Sequence, residues 1–259
     1  MLRPRITPCL LVRNGGLVKT VSFGGGKYVG DPLNAVKIFN EKESDELIVL
    51  DIDASAKGAE PDLRMIAELA VECRMPLCYG GGVKTTAQAK EIIGLGVEKV
   101  GISSAAVEDP RLVSSIAAEV GSQSVVVVID VRKRPGTDDY DVWTHNGRRN
   151  SGKLARQVAQ EAEAQGAGEI LVNSIDNDGL MKGYDLALAR HIRDSTRLPM
   201  TVLGGAGSLA DIGRLIGACG VVGAAAGSLF VFKGAYKAVL INYPNQPQKD
   251  ELIRSALGR

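Results

Sequence analysis

Pro76-Leu-Cys-Tyr-Gly-Gly-Gly82 and Pro199-Met-Thr-Val-Leu-Gly-Gly205 follow one plan: a proline, a short run fit for a buried strand, then paired glycines. The two stretches stand 123 residues apart, and the same offset carries Glu46 to Glu169, Ile52 to Ile175, Asp53 to Asp176 and Ile93-Gly94 to Ile216-Gly217. An offset that survives through strands and helices alike predicts a duplicated unit. Outward from these two stretches, strand-like runs recur at Ile6–Val12, Glu46–Asp53, Pro76–Tyr79, Lys99–Ile102, Ser124–Val131, Glu169–Ile175, Met200–Leu203 and Gly220–Ala226. Continuous apolar runs such as Val125–Ile129 suit a parallel sheet covered on both faces. Helical patterns lie between them: Leu63, Ile66, Ala67 and Ala70 share one face, as do Ala155, Val158, Ala159 and Ala162. Asp31-Pro32, Asp109-Pro110 and Thr85-x-x-Gln88 read as helix starts. Eight strands alternating with helices over 259 residues predict one α/β domain, a (β/α)8 barrel of two half-barrels spanning residues 1–244, with a polar tail at 245–259. A doubly wound open sheet is the runner-up, but no GxGxxG follows the first strand.

Composition narrows the function classes. Lys plus Arg total 31 against 30 for Asp plus Glu, so there is no basic footprint for nucleic acid or for an anionic membrane surface. Four cysteines without a CxxC pair suit a reducing compartment, and two histidines give no basis for a His-rich metal site. Neither metal nor cofactor is expected. The start, Met1-Leu-Arg-Pro-Arg, lacks the apolar stretch of a secretory signal, and the apolar region Val221–Phe232 is too short to span a bilayer. A cytoplasmic protein is the expectation.

The 31 glycines gather where barrel strands should end, which is the functional face of such a barrel. Bare backbone beside a helix start presents N–H groups to an anion. Gly205 after strand seven, with Gly227 and Ser228 after strand eight, therefore reads as a phosphate cradle, joined by Asp178-Gly179 after strand six. The duplication predicts a second cradle from Gly82, Ser103 and Ser104. Two cradles imply a ligand phosphorylated at both ends; tight turns are the plainer use of the same glycines. Asp51, Asp53, Asp130 and Asp176 are the candidate acid–base groups, and Asp130 stands out because it ends the apolar run Val125–Ile129. Lys19 could meet a phosphate. At the opposite ends of the strands, Arg5, Glu46, Lys99 and Glu169 alternate in charge and could close a ring, although strand-end charges are usually just solvated.

Arg5-Ile-Thr-Pro-Cys-Leu, Leu50-Asp-Ile-Asp-Ala-Ser, Gly80-Gly-Gly, Lys99-Val-Gly-Ile-Ser-Ser-Ala-Ala, Thr144-His-Asn-Gly, Gly183-Tyr-Asp-Leu and Gly204-Gly-Ala-Gly together resemble the cyclase (synthase) subunit of imidazole glycerol phosphate synthase. The resemblance runs from residue 1 to about 240. It implies a barrel that docks a glutaminase on its N-terminal face and passes ammonia through its core to a bis-phosphorylated substrate. It assigns Arg5, Glu46, Lys99 and Glu169 to an ammonia gate and Glu98 to the glutaminase interface. The family cyclises with two aspartates, at the ends of strands one and five. Asp130 matches the second, but Leu11 stands at the first. Ser103 stands for the family's Asn, Gly101 for Ser, Asn173 for Thr and Leu203 for Ser. The conduit end matches while the chemical end departs.

That polarity resembles a paralogous branch associated with acetamidino-sugar formation in surface polysaccharide (lipopolysaccharide) biosynthesis, where a separate sugar amidotransferase activates the acceptor. Leu10-Leu-Val-x-Asn-Gly-Gly-Leu-Val-Lys-Thr20, Lys27-Tyr-Val-Gly-Asp-Pro32 and Phe230-Val-Phe-Lys-Gly234 carry that likeness. Ammonia delivery is therefore the first expectation. A histidine-pathway cyclase, with Asp51 or Asp176 standing in at Leu11, is the second. A glutaminase-activating scaffold without chemistry of its own is the third.

Overall fold

The computed structural model describes residues 3–234 and 236–258; the first two residues of the N-terminal reading lie outside them. Eight parallel strands close into a barrel: one (Arg5–Arg13), two (Leu47–Asp51), three (Leu77–Gly80), four (Lys99–Ile102), five (Val125–Lys133), six (Glu169–Ser174), seven (Met200–Leu203) and eight (Gly223–Ala226). Each pairs with its neighbours in chain order, strand eight with strand one, and strand five with strand six. The fold is a single (β/α)8 barrel. Its register repeats with the sequence: Leu47 pairs with Leu77 between strands two and three, and Ile170 with Met200 between strands six and seven. Both members of the second pair stand 123 residues beyond those of the first.

Strands one and five are the long ones because each runs on into an antiparallel hairpin above the mouth. Gly16–Val21 and Gly24–Gly30 follow strand one, and Tyr140–Thr144 and Arg149–Leu154 follow strand five. These hairpins were not foreseen. Asn14-Gly15 and Asn146-Gly147 take positive φ at their turns, as a tight hairpin requires.

The helix signals resolve as expected in most cases. Asp31 caps Pro32–Glu41, and Thr85 with Gln88 forms a full capping box on Thr86–Gly94. Asp109 departs slightly, for Pro110 holds the cap position of Arg111–Val120 while the Asp109 carboxylate accepts the Arg111 N–H. The larger departure is in the polar tail. Residues Gln246–Ala256 form a helix opened by an Asn245/Gln248 capping box, and it buries Lys249, whose ammonium pairs with Asp45 at 2.7 Å. Asp45 also accepts the Ile6 N–H at 2.9 Å, so this helix is fastened to the base of the barrel.

Apolar side chains fill two shells. The larger lies between the sheet and its surrounding helices. The smaller lies inside the barrel and comprises Cys9, Ile48, Cys78, Val126, Val128, Leu171, Leu203 and Ala225, with Leu11 and Leu50 packed against it. Among the described residues no helix is long and apolar enough to cross a membrane.

Candidate functional site

The barrel base carries a closed ring of charges. Arg5 reaches Glu46 at 2.8 Å and Glu169 at 2.7 Å, and Lys99 reaches the same two carboxylates at 2.6 and 2.9 Å. Strand ends bring these four side chains together because strands one, two, four and six set them at one depth. Burial alone would pull the Lys99 ammonium down, but Glu169 and Glu46 outweigh it and raise it above its ordinary value. Glu169 is pushed up by burial yet ends below the usual carboxylate range, because Arg5, Lys99 and the Thr201 hydroxyl all favour its charged form. Thr201 donates to Glu169 at 2.5 Å, a ring partner that the sequence reading missed. Charges this deeply placed hold together only when each is paired. Glu98 is exposed beside Lys99 on the same face.

At the other end a cavity opens at the strand C-termini, and it gathers the predicted cradle residues together with Leu11, Lys19 and Asp130. Leu11, Lys19, Gly82, Ser103, Ser104, Asp130, Asp178, Gly179, Gly205, Gly227 and Ser228 all line it. Two short helices, Ser104–Glu108 and Ser228–Val231, start at this cavity with no side chain capping their first amides. Ser104 and Gly227 stand at the repeat offset, so the two helix starts are equivalent stations of the two half-barrels. Lys19 reaches the second station from the first hairpin. It is buried, donates to the Cys9 carbonyl at 2.7 Å, and occupies space that a Cβ at Gly227 would take. Burial lowers its pKa, with Cys9 and Asp178 acting the other way.

Two residues of the predicted cradle also carry packing contacts. Asp178 accepts from the Thr20 hydroxyl at 2.8 Å and from the Phe23 N–H at 3.4 Å, tying the loop after strand six to the first hairpin. Gly179, at φ +71°, lets the Thr20 carbonyl approach closer than any Cβ would allow. The same hairpin brings Phe23 to the rim, and the second brings His145 and Asn146, three lining residues that sequence reasoning did not find.

The acid–base candidates separate clearly. Asp130 lines the cavity, and burial pushes its carboxyl up to about 7; the Asn173 amide opposes that and the charge of Asp178 adds to it. Asp51 also lines the cavity, but one of its oxygens accepts the N–H groups of Asp53 and Ala54. Asp176 turns away to Arg132 and the Lys133 N–H, and Asp53 to Arg13 and Lys57. Leu11 pairs with Leu50, as Asp130 pairs with Asn173, and Leu50 and Asn173 are related by the repeat offset. Leu11 is thus the positional twin of Asp130. Among the described residues no cluster of His, Cys, Asp or Glu could hold a metal ion.

Comparison with known proteins agrees with this arrangement. The family described as "Histidine biosynthesis protein" matches residues 5–237. A Leptospira borgpetersenii protein, provisionally named imidazole glycerol phosphate synthase subunit HisF, is 56% identical over 98% of this chain and 100% of its own length. A Pseudomonas aeruginosa protein, provisionally named as subunit hisF2, is 52% identical over 96% of this chain and 99% of its own. The imidazole glycerol phosphate synthase subunit HisF of Hyphomonas neptunium is 41% identical over 90% and 91%. The match spans barrel, ring and mouth together, and the chain belongs to the HisF-type family of imidazole glycerol phosphate synthase subunits.

Proposed function

We propose that this chain is the synthase subunit of a glutamine-dependent amidotransferase complex, taking ammonia from a glutaminase on its ring face and releasing it into the mouth cavity. The ring of Arg5, Glu46, Lys99 and Glu169 guards entry, and Glu98 offers a free carboxylate to the docked partner. The two uncapped helix starts, with Lys19 beside one of them, suit a phosphorylated ligand. The finer reading is that the ammonia serves acetamidino-sugar formation, with a separate sugar amidotransferase completing the transfer.

The observation that carries this is Leu11. Its twin position holds Asp130, whose carboxyl burial raises to about 7, so one of the two stations that ring closure by the family's route uses carries no carboxyl. A leucine moves no proton, and losing one acid–base partner costs about 10²–10⁴-fold in rate. A second reading, ring closure by Asp130 with Asp51, is favoured by one observation: Asp51 lines the same cavity. It must give up two backbone hydrogen bonds to serve. The scaffold reading, in which the mouth binds a phosphorylated regulator without converting it, needs only the ring and the docking face.

The purified chain with ammonium and the ribulosyl-formimino substrate separates these readings. Substrate consumption on the order of 1 s⁻¹ or faster would refute the proposal. The expected result is negligible turnover, with cyclisation gained in Leu11→Asp.

A further inference from the structure

Asn173 sits on strand six, on the same inward row as Glu169 of the ring and Leu171 of the inner apolar shell. It is 5% exposed and lines the mouth cavity. Its amide nitrogen donates to Asp130 Oδ1 at 3.1 Å. Its carbonyl oxygen, equally buried, has no hydrogen-bond partner among the described residues. A buried acceptor left unpaired is uncommon in a folded protein and calls for an explanation. The row on strand one has a counterpart lower in the barrel: the Thr7 hydroxyl, two residues above Arg5, is fully buried and likewise lacks a partner. Between these two polar stations the barrel interior is apolar, walled by Ile48, Val126, Val128 and Leu171.

A guest that reaches the Asn173 carbonyl from the ring side must be small, uncharged enough to cross that apolar shell, and able to donate an N–H or O–H. Ammonia fits, with three N–H donors and one lone pair. Because the Asn173 nitrogen is committed to the Asp130 carboxylate, the carbonyl is the unengaged end of the amide, buried at the cavity wall beside Gly204. We infer that Asn173 is the residue that receives ammonia at the top of the barrel core, its carbonyl accepting one N–H while the Asp130 carboxylate stands alongside to accept another. Held by two N–H bonds, ammonia presents its lone pair to whatever acceptor occupies the cavity. A water molecule would satisfy the same carbonyl but would show no dependence on ammonia. The inference deepens the ammonia-delivery reading, and its test needs neither an acceptor nor a glutaminase.

Two isosteric variants suit a strand position, where β-branched side chains are well tolerated. Asn173→Thr keeps an oxygen acceptor, and Asn173→Val removes it at nearly the same shape. Asp130 labelled at its side-chain carboxyl carbon, together with the backbone amide of residue 173, is followed by NMR during titration with ammonium chloride. Tetramethylammonium chloride serves as the ionic control, at matched pH values spanning the ammonium pKa. The expected result in the native chain is a saturable shift that grows with the fraction of neutral ammonia. It is retained in Asn173→Thr and is about two- to tenfold weaker or lost in Asn173→Val, as for removal of one neutral hydrogen bond. No shift, a shift that follows the ammonium cation, a shift matched by tetramethylammonium, or equal responses in the two variants would overturn the inference. Each of those results leaves the cyclisation assay unaffected, so the two claims fail separately.

Discussion

Lys99→Met tests whether the basal ring is one coupled device. Lys99 supplies two of the ring's four ion pairs, at 2.6 and 2.9 Å, to carboxylates that are 4% and 6% exposed. Breaking a buried pair by removing one partner typically costs about 3–5 kcal/mol. Here each glutamate keeps Arg5, so a loss of about 2–3 kcal/mol is expected, near the low end of that range. For a chain of this size that corresponds to a fall in Tm of roughly 4–6 °C. The pH dependence is more telling than the size. Burial already raises the Glu46 carboxyl in the native ring, and in the variant two facing carboxylates share one cation, so it is raised further and keeps its proton to higher pH. The folded state then binds more protons than the unfolded state, and the variant loses stability as pH rises. Urea unfolding of both proteins, followed by circular dichroism, should show a deficit clearly larger at about pH 8 than at about pH 5. A deficit below about 1 kcal/mol that stays flat with pH would mean four separate solvated contacts and no coupled ring.

Asp130→Asn should behave in the opposite sense. Because the Asp130 carboxyl is raised to about 7 in the fold, its contribution to stability is present below the unfolded pKa and is lost as pH rises through 7. The variant should therefore match the native chain at about pH 4 and exceed it at about pH 8, and equal urea midpoints at the higher pH would contradict the assignment. Lys249→Met strands Asp45 at the barrel base and should cost about 3 kcal/mol by the same unfolding measurement. A cost near zero would show the C-terminal helix to be a dispensable appendage.

The duplicated stretches made the barrel legible, because an offset preserved through strands and helices constrains topology as well as composition. The ring residues were legible only as a pattern, since nothing local distinguishes Glu46 or Glu169 from a solvated strand end. Their partner Thr201 was invisible for the same reason: a hydroxyl on an apolar strand has no signature until the opposite wall is in place. The hairpins were a different kind of miss. Asn14-Gly15 and Asn146-Gly147 are among the strongest short-range hairpin signals; the first stood between Leu10–Val12 and Leu17–Val21, while the second was followed by the polar run Arg148–Ser151, which hid its second strand. The C-terminal helix also announced itself, through Asn245 and Gln248 in capping-box spacing. At the mouth, the predicted cradle residues line one cavity, but the contacts that engage several of them were not legible. Asp178 and Gly179 also seat the first hairpin, and Asp53 and Asp176 are engaged by Arg13 and Arg132, commitments set by chain segments about forty residues or more away, with Lys57 adding a local partner to Asp53. The unpaired carbonyl of Asn173 is a property of coordinates alone.

The twin stations described above, Leu11 with Leu50 and Asp130 with Asn173, also bear on direction. A barrel made of two like halves offers a long ligand two nearly equal ways to lie across it, one the reverse of the other. Here the rim keeps that ambiguity, with matching helix starts on both sides, but the floor abolishes it. At one twin station the floor presents two leucines; at the other it presents a carboxyl and an amide. A ligand's hydrogen-bonding end finds its partners toward strands five and six, so leucine at one of the two twin stations gives a two-fold vessel a fixed polarity.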